Sequence, residues 1–118
     1  MEKYSDDNSA VFSDVSDSYT ETYNYLDGLY VIEKDDVHVE LLDIDSSKNA
    51  SKWFESNVED LKKDSKSSSG SSTTSGGNYT IMTDDMVYRV LFSDDKGIFA
   101  YGDTKDSVNK VLADLNIN

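Results

Sequence analysis

Two apolar stripes constrain what this chain can become. Ala50, Trp53, Phe54, Val58 and Leu61 recur at helical spacing in the middle of the sequence, and Val108, Val111, Leu112 and Leu115 do so near its end. Helices this short are marginal alone in water, so each needs an apolar surface to lie on. The neighbouring stretches offer one. From Val87 to Phe92 the side chains alternate, with Tyr88, Val90 and Phe92 on one face and Val87, Arg89 and Leu91 on the other, the period of a pleated strand. The Tyr88 face is the expected core side. Ser93-Asp94-Asp95-Lys96-Gly97 supplies turn formers, with Gly97 free to take positive φ, and reverses the chain into Ile98-Phe99-Ala100-Tyr101. Gly102 ends that strand, Asp103 is placed to cap the last helix, and Asp106 adds negative charge at the positive end of its dipole.

An earlier stretch repeats this order. Leu29 to Glu33 and Val37 to Leu41 read as strands joined at Lys34-Asp35-Asp36, with Asp45 or Ser46 capping a helix that Lys62 and Lys63 close. Trp53 and Phe54 are its expected core anchors. Upstream, Ser18 to Leu26 fits a strand of alternating Tyr and Thr, although Phe12, Val15, Tyr19, Tyr23 and Leu26 also fit a helical stripe. Poor helix formers fill the gaps, which favours the strand, and Asp27-Gly28 then forms a two-residue hairpin turn into Leu29. Residues 1–17, rich in Ser and Asp, are expected to be a disordered acidic leader or tether. Residues 64–77, DSKSSSGSSTTSGG, read as a flexible loop, with Asn78 to Thr83 resuming as a strand and Asp84-Asp85 as its turn. That loop is internal to one fold, because either flank alone is too small to bury its helix. The expectation is a single α+β domain over 18–118: about six antiparallel strands with two helices packed on them, in the order βββα-βββα.

Charge narrows the partners. Acidic residues number 24 against 11 basic ones, and a net charge of −13 repels phosphate backbones and anionic headgroups, which excludes nucleic acid. With no cysteine there is no disulfide, thiolate metal site or cysteine nucleophile. No apolar run is long enough to span a bilayer, and Met-Glu-Lys-Tyr-Ser-Asp-Asp is no signal peptide. Two placements follow: a cytoplasmic protein, or an exported one, extracellular or at the cell surface, whose export segment was removed and whose leader is a tether. The second is preferred.

Reaction chemistry is hard to find. Asp43-Ile44-Asp45-Ser46-Ser47 opens like a calcium loop, but Lys48 stands where glycine is needed and Phe54 where a bidentate glutamate is needed, so a strand end and helix cap are read there instead. His38 lies on a polar strand face beside Glu40 and is read as a solvent-exposed structural residue, since no serine or threonine sits in a nucleophile motif. No catalytic, metal or cofactor site is assigned. Tyr19, Tyr23 and Tyr25 could form an amphipathic binding patch, or simply cover the sheet face opposite the helices.

The last third of the chain, an Asp94-Asp95-Lys96-Gly97 turn, Ile98-Phe99-Ala100-Tyr101 and a helix closing in Val111-Leu112-Ala113-Asp114-Leu115, resembles the close of Mog1/PsbP-like domains. Those are small α/β sandwiches on a central antiparallel sheet. The resemblance implies a non-enzymatic domain, often secreted or lipid-anchored, with no particular ligand. Their early aromatic-proline-aspartate turn is absent from this proline-free chain, and Asp27-Gly28 stands in its place. The functional expectation is a non-catalytic, extracytoplasmic binding or structural module. The alternative is a cytoplasmic acidic regulator of a basic protein.

Overall fold

The structure, a computed structural model, describes residues 11–14 and 26–115. It is an α+β fold built on one antiparallel sheet. Seven strands, β1 (Val11–Asp14), β2 (Leu26–Lys34), β3 (Val37–Ile44), β4 (Ser67–Ser72), β5 (Gly76–Met82), β6 (Val87–Ser93) and β7 (Lys96–Gly102), lie in the order β1-β2-β3-β7-β6-β5-β4. Two helices, α1 (Ser47–Lys63) and α2 (Lys105–Asp114), follow β3 and β7. The central pairing is therefore β3 with β7, which joins the two halves of the chain into one sheet.

The helices occupy opposite faces of that sheet. Val37, Val39, Leu41 and Ala100 pack with Val108, Val111 and Leu112 of α2 and with Leu115 at its C-cap. Leu42, Ile44, Val90, Phe92 and Ile81 pack with Ala50, Phe54 and Val58 of α1. Successive residues of a strand point to opposite sides, so the adjacent pairs Leu41-Leu42 and Leu91-Phe92, all four buried, are the mark of a sheet covered on both faces. The Tyr88 face is thus one of two core sides, and Val87 and Leu91 on the other are equally buried. Glycines confirm the arrangement. A Cβ on Gly97 would come within 2.7 Å of the Trp53 ring on α1, whereas one on Gly102 would meet Val108 of α2 at 3.0 Å.

Tight turns hold the hairpins. Lys34 pairs with Val37 and Ser93 with Lys96, so each loop is two aspartates long. Asp35 and Asp36 adopt φ of 50° and 64°, and Asp94 of 52°, the left-handed region that aspartate enters more readily than most residues. Gly97 lies inside β7 rather than in the turn, and its role is to let Trp53 approach the backbone. Ser46 caps α1, its hydroxyl accepting the Asn49 N–H at 3.2 Å, while Asp45 accepts from the Asn49 side chain at 2.7 Å. At α2 the cap is Thr104, one residue beyond Asp103, and its hydroxyl accepts the Ser107 N–H at 3.1 Å.

Three further expectations are corrected. Asp27-Gly28 is not a hairpin turn: it sits within β2 as a bulge, because Leu26 pairs with Ile44 and Gly28 with Asp43, leaving Asp27 as the extra residue. The strand beside β2 is Val11–Asp14, inside the stretch expected to be a loose leader, where adjacent Val and Phe favour extended backbone. The Ser/Gly stretch is no structureless loop either, since Ser67–Ser72 forms the edge strand β4, fully paired with β5. Backbone hydrogen bonds need no apolar side chain, and Gly70, at φ 153°, lies where a Cβ would collide with the Asn78 carbonyl oxygen. The reading of residues 18–25 as a strand, with Tyr19, Tyr23 and Tyr25, lies outside the described residues.

Among the expected core residues, Phe54, Val58, Val90, Phe92, Val108, Val111, Leu112 and Leu115 are buried. Trp53, Leu61 and Tyr88 are half-buried and line the rim of the α1 core.

Candidate functional site

Strand register assembles a row of polar and aromatic side chains across four strands. The two-aspartate turn sets Glu33 opposite His38, β3–β7 pairing sets His38 opposite Tyr101, and β7–β6 pairing sets Tyr101 opposite Tyr88. The adjoining row on the same face runs Val31, Glu40, Phe99, Val90. α1 crosses the other end of this face, over Gly97, Phe92 and Gly77, and leaves the Glu33–His38–Tyr101–Tyr88 row without a described helix above it.

His38 is the hub. Its Nδ1 lies 2.7 Å from a Glu33 carboxylate oxygen and its Nε2 lies 2.9 Å from one of Glu40. The ring stacks on Tyr101, with centroids 4.8 Å apart and planes inclined by 23°. With a side chain only 18 % exposed, His38 is not the solvent-facing residue that its place on a polar strand face suggested. A carboxylate can only accept, so both contacts are hydrogen bonds only when both ring nitrogens carry protons. Burial of the ring is the largest single influence and works against the charge. The hydrogen bonds to Glu33 and Glu40, with their negative charges, together outweigh it, and His38 holds its proton above the ordinary 6.5. Tyr101 is pushed up from 10.0 by burial, by Glu40 and Glu33, and by Tyr88.

Aromatic rings continue the surface. Tyr88 lies 5.8 Å from Tyr101 and 6.0 Å from Phe99, and Phe99 stands edge-on to Tyr101 at 6.2 Å. Each of the three is half-buried, so each offers apolar area beside carboxylates that remain partly exposed.

The rest of the surface offers less chemistry. On the α2 face Arg89, the chain's only arginine, donates to the side-chain oxygens of Asn109 and Asn78, the latter at 2.7 Å. Its pKa is lowered by burial, and its Nε has no hydrogen-bond partner. Asp43, the first residue of the calcium-like spacing, pairs with Lys96 at 2.7 Å. No group of three His, Asp or Glu side chains among the described residues is arranged to hold a metal ion. A shallow groove of about 270 Å³ beside α1, lined by Asn49, Lys52, Trp53, Ser56 and Asn57, contains no acid–base pair.

The sequence had paired His38 with Glu40 from their alternation along one strand. Glu33 escaped because its proximity depends on the hairpin loop being two residues long. Counting outward from Asp35-Asp36 recovers it. Tyr101 and Tyr88 carry no local signal, because they reach His38 only through the pairing of the two halves of the chain.

No described helix is long and apolar enough to cross a membrane. Compared with protein-family models, with curated proteins and with solved structures, the chain has no match.

Proposed function

We propose that this protein is a non-catalytic binding module that engages another protein through the Glu33–His38–Tyr101–Tyr88 row and the adjoining Glu40 and Phe99. The observation that carries this reading is the row itself: half-buried aromatic rings beside partly exposed carboxylates, on a sheet face that α1 only partly covers. Tyrosine and phenylalanine in such a setting supply rigid contact area with polar handles, the composition of binding surfaces. The same geometry speaks against a catalytic base, because both nitrogens of His38 are occupied by carboxylates, which favour the protonated ring.

An extracytoplasmic setting is part of this proposal and rests on the Ser- and Asp-rich composition of residues 1–17; a cytoplasmic regulator of a basic protein is the second reading, favoured by the net charge of −13. Fractionation of cells expressing the native gene separates the two settings. The binding role is tested by affinity capture from the native cells with three baits: the wild type, Tyr88→Ser/Tyr101→Ser, and Thr80→Lys on the other sheet face. A partner retained by the wild type and Thr80→Lys but lost with the tyrosine pair supports the reading. Partners indifferent to the tyrosines refute it.

A further inference from the structure

We infer that the partner docks an exposed basic segment on this row, and that one of its lysine or arginine side chains takes the carboxylates of Glu33 and Glu40 from His38, so that docking releases the histidine proton. This deepens the reading above and rests on it. In the free protein the imidazolium bridges the two carboxylates at 2.7 and 2.9 Å and neutralises half of their charge. An ammonium or guanidinium entering the same space meets both carboxylates. Tyr101, Tyr88 and Phe99 lie beside that space, and aromatic rings attract cations. It cannot share that space cheaply with a second cation, since a like charge at close range favours the neutral ring. Partner cation and histidine proton therefore exclude one another, and two mutually exclusive ligands are linked: affinity for the partner must rise as the proton becomes easier to lose.

The groups that face His38 are known from each strand around it. Among the described residues they are Glu33 on β2, Glu40 on β3 and Tyr101 on β7, with Tyr88 one strand further on β6; neither α1 nor α2 contributes a charged neighbour to it. Charge selects the occupant. The surface presents two carboxylates on a protein of net charge −13, and a basic segment is steered toward such a field whereas an acidic one is repelled.

Calorimetric titration with a hexalysine peptide at constant ionic strength tests this, run between about pH 5.5 and 8 and in buffers of differing ionisation heat. Affinity is expected to rise with pH, by up to about tenfold per unit on the acid side, with up to about one proton released per peptide. His38→Gln should bind with little pH dependence and release no proton. Glu33→Gln/Glu40→Gln should weaken binding at least about tenfold, while Glu59→Gln/Asp60→Gln, which removes the same charge from the exposed side of α1, should weaken it far less. Circular dichroism of each variant checks the fold.

Equal losses from the two double variants would show diffuse attraction and overturn the proposal. So would wild-type affinity that is flat with pH or binding without proton release. A native partner lost with the tyrosine pair, together with any of those results, leaves the binding role standing and removes only the displacement of His38.

Discussion

Gly77 and Phe54 offer the sharpest test of the packing that shapes this molecule. Phe54 is 1 % exposed, and its ring lies 4.9 Å from that of Phe92, in the core between α1 and the sheet. Truncation to alanine should cost about 3–5 kcal/mol, the range for a buried ring lost from a core. A loss of about 4 kcal/mol moves a urea midpoint by roughly 2 M where the slope is about 2 kcal/mol/M. Gly77 lies directly beneath the ring. A Cβ there would come within 2.7 Å of two Phe54 ring carbons and 2.9 Å of one from Phe92, so Gly77→Ala should cost about 1–3 kcal/mol through overpacking, despite a gain from stiffening the unfolded chain. In the double variant the Phe54 clash is gone and the new methyl fills part of the cavity. The pair should then cost no more than Phe54→Ala alone, a coupling of about 1–3 kcal/mol. Urea unfolding of the four proteins, followed by circular dichroism, measures it. Simple additivity, or a neutral Gly77→Ala, would refute the placement of α1 over β5.

Three further outcomes are expected. Thr104→Ala should lose about 1 kcal/mol by removing the α2 cap, whereas Asp103→Ala should change stability by less than about 0.5 kcal/mol; the reverse ranking in thermal melts would return the cap to Asp103. Asp36→Gly should stabilise by about 0.5–1 kcal/mol, since glycine relieves the φ of 64° in the β2–β3 turn, and a lower urea midpoint would contradict that turn geometry. His38 binds its proton more tightly folded than unfolded, so its stabilising contribution is complete below the ordinary 6.5 and is lost as pH rises through the higher folded value. The stability advantage of the wild type over His38→Gln should therefore shrink from about pH 5.5 to about pH 8.5, and an advantage that widens would reverse the sign of the argument.

What the sequence revealed depended on how local the cause was. Helical stripes and two-residue periods act over a few residues, so both helices, the α1 cap, the Lys62-Lys63 close and the hairpins around Asp35-Asp36 and Asp84-Asp85 could be read directly. Asp27-Gly28 has the composition of a hairpin turn, yet its neighbours pair straight through it with β3, and tertiary pairing turned a turn signal into a bulge. Ser67–Ser72 carries no apolar side chain to betray a strand and is recruited by the open edge of β5. Gly97 was legible as a special position but not for the right reason, since Trp53 lies 44 residues away along the chain. The candidate site divides in the same way: His38 and Glu40 share a strand, Glu33 shares a hairpin, and the tyrosines arrive only with the closed sheet.

The position of the proposed binding surface follows from a mismatch of widths. Seven strands about 4.8 Å apart make a sheet roughly 29 Å across, and a helix about 10 Å wide shelters only two or three of them. α1 spends its cover on β5, β6 and the near end of β7, where Gly77 and Gly97 let Phe54 and Trp53 come close. α2, on the other face, lies over β3, β7 and β6. Each face is thus left with strands that no described helix shields, and their residues must tolerate water. On the α2 face that share includes Asn78 and Thr80 of β5, polar and uncharged, and Lys34 of β2. On the α1 face it falls to Glu33, His38 and Glu40 with three aromatic rings beside them. Uncharged polar side chains satisfy the demand for solubility, as Asn78 and Thr80 do on the opposite face. A histidine braced between two carboxylates against a tyrosine goes beyond that demand, which is why the proposed binding role falls to this end of this face.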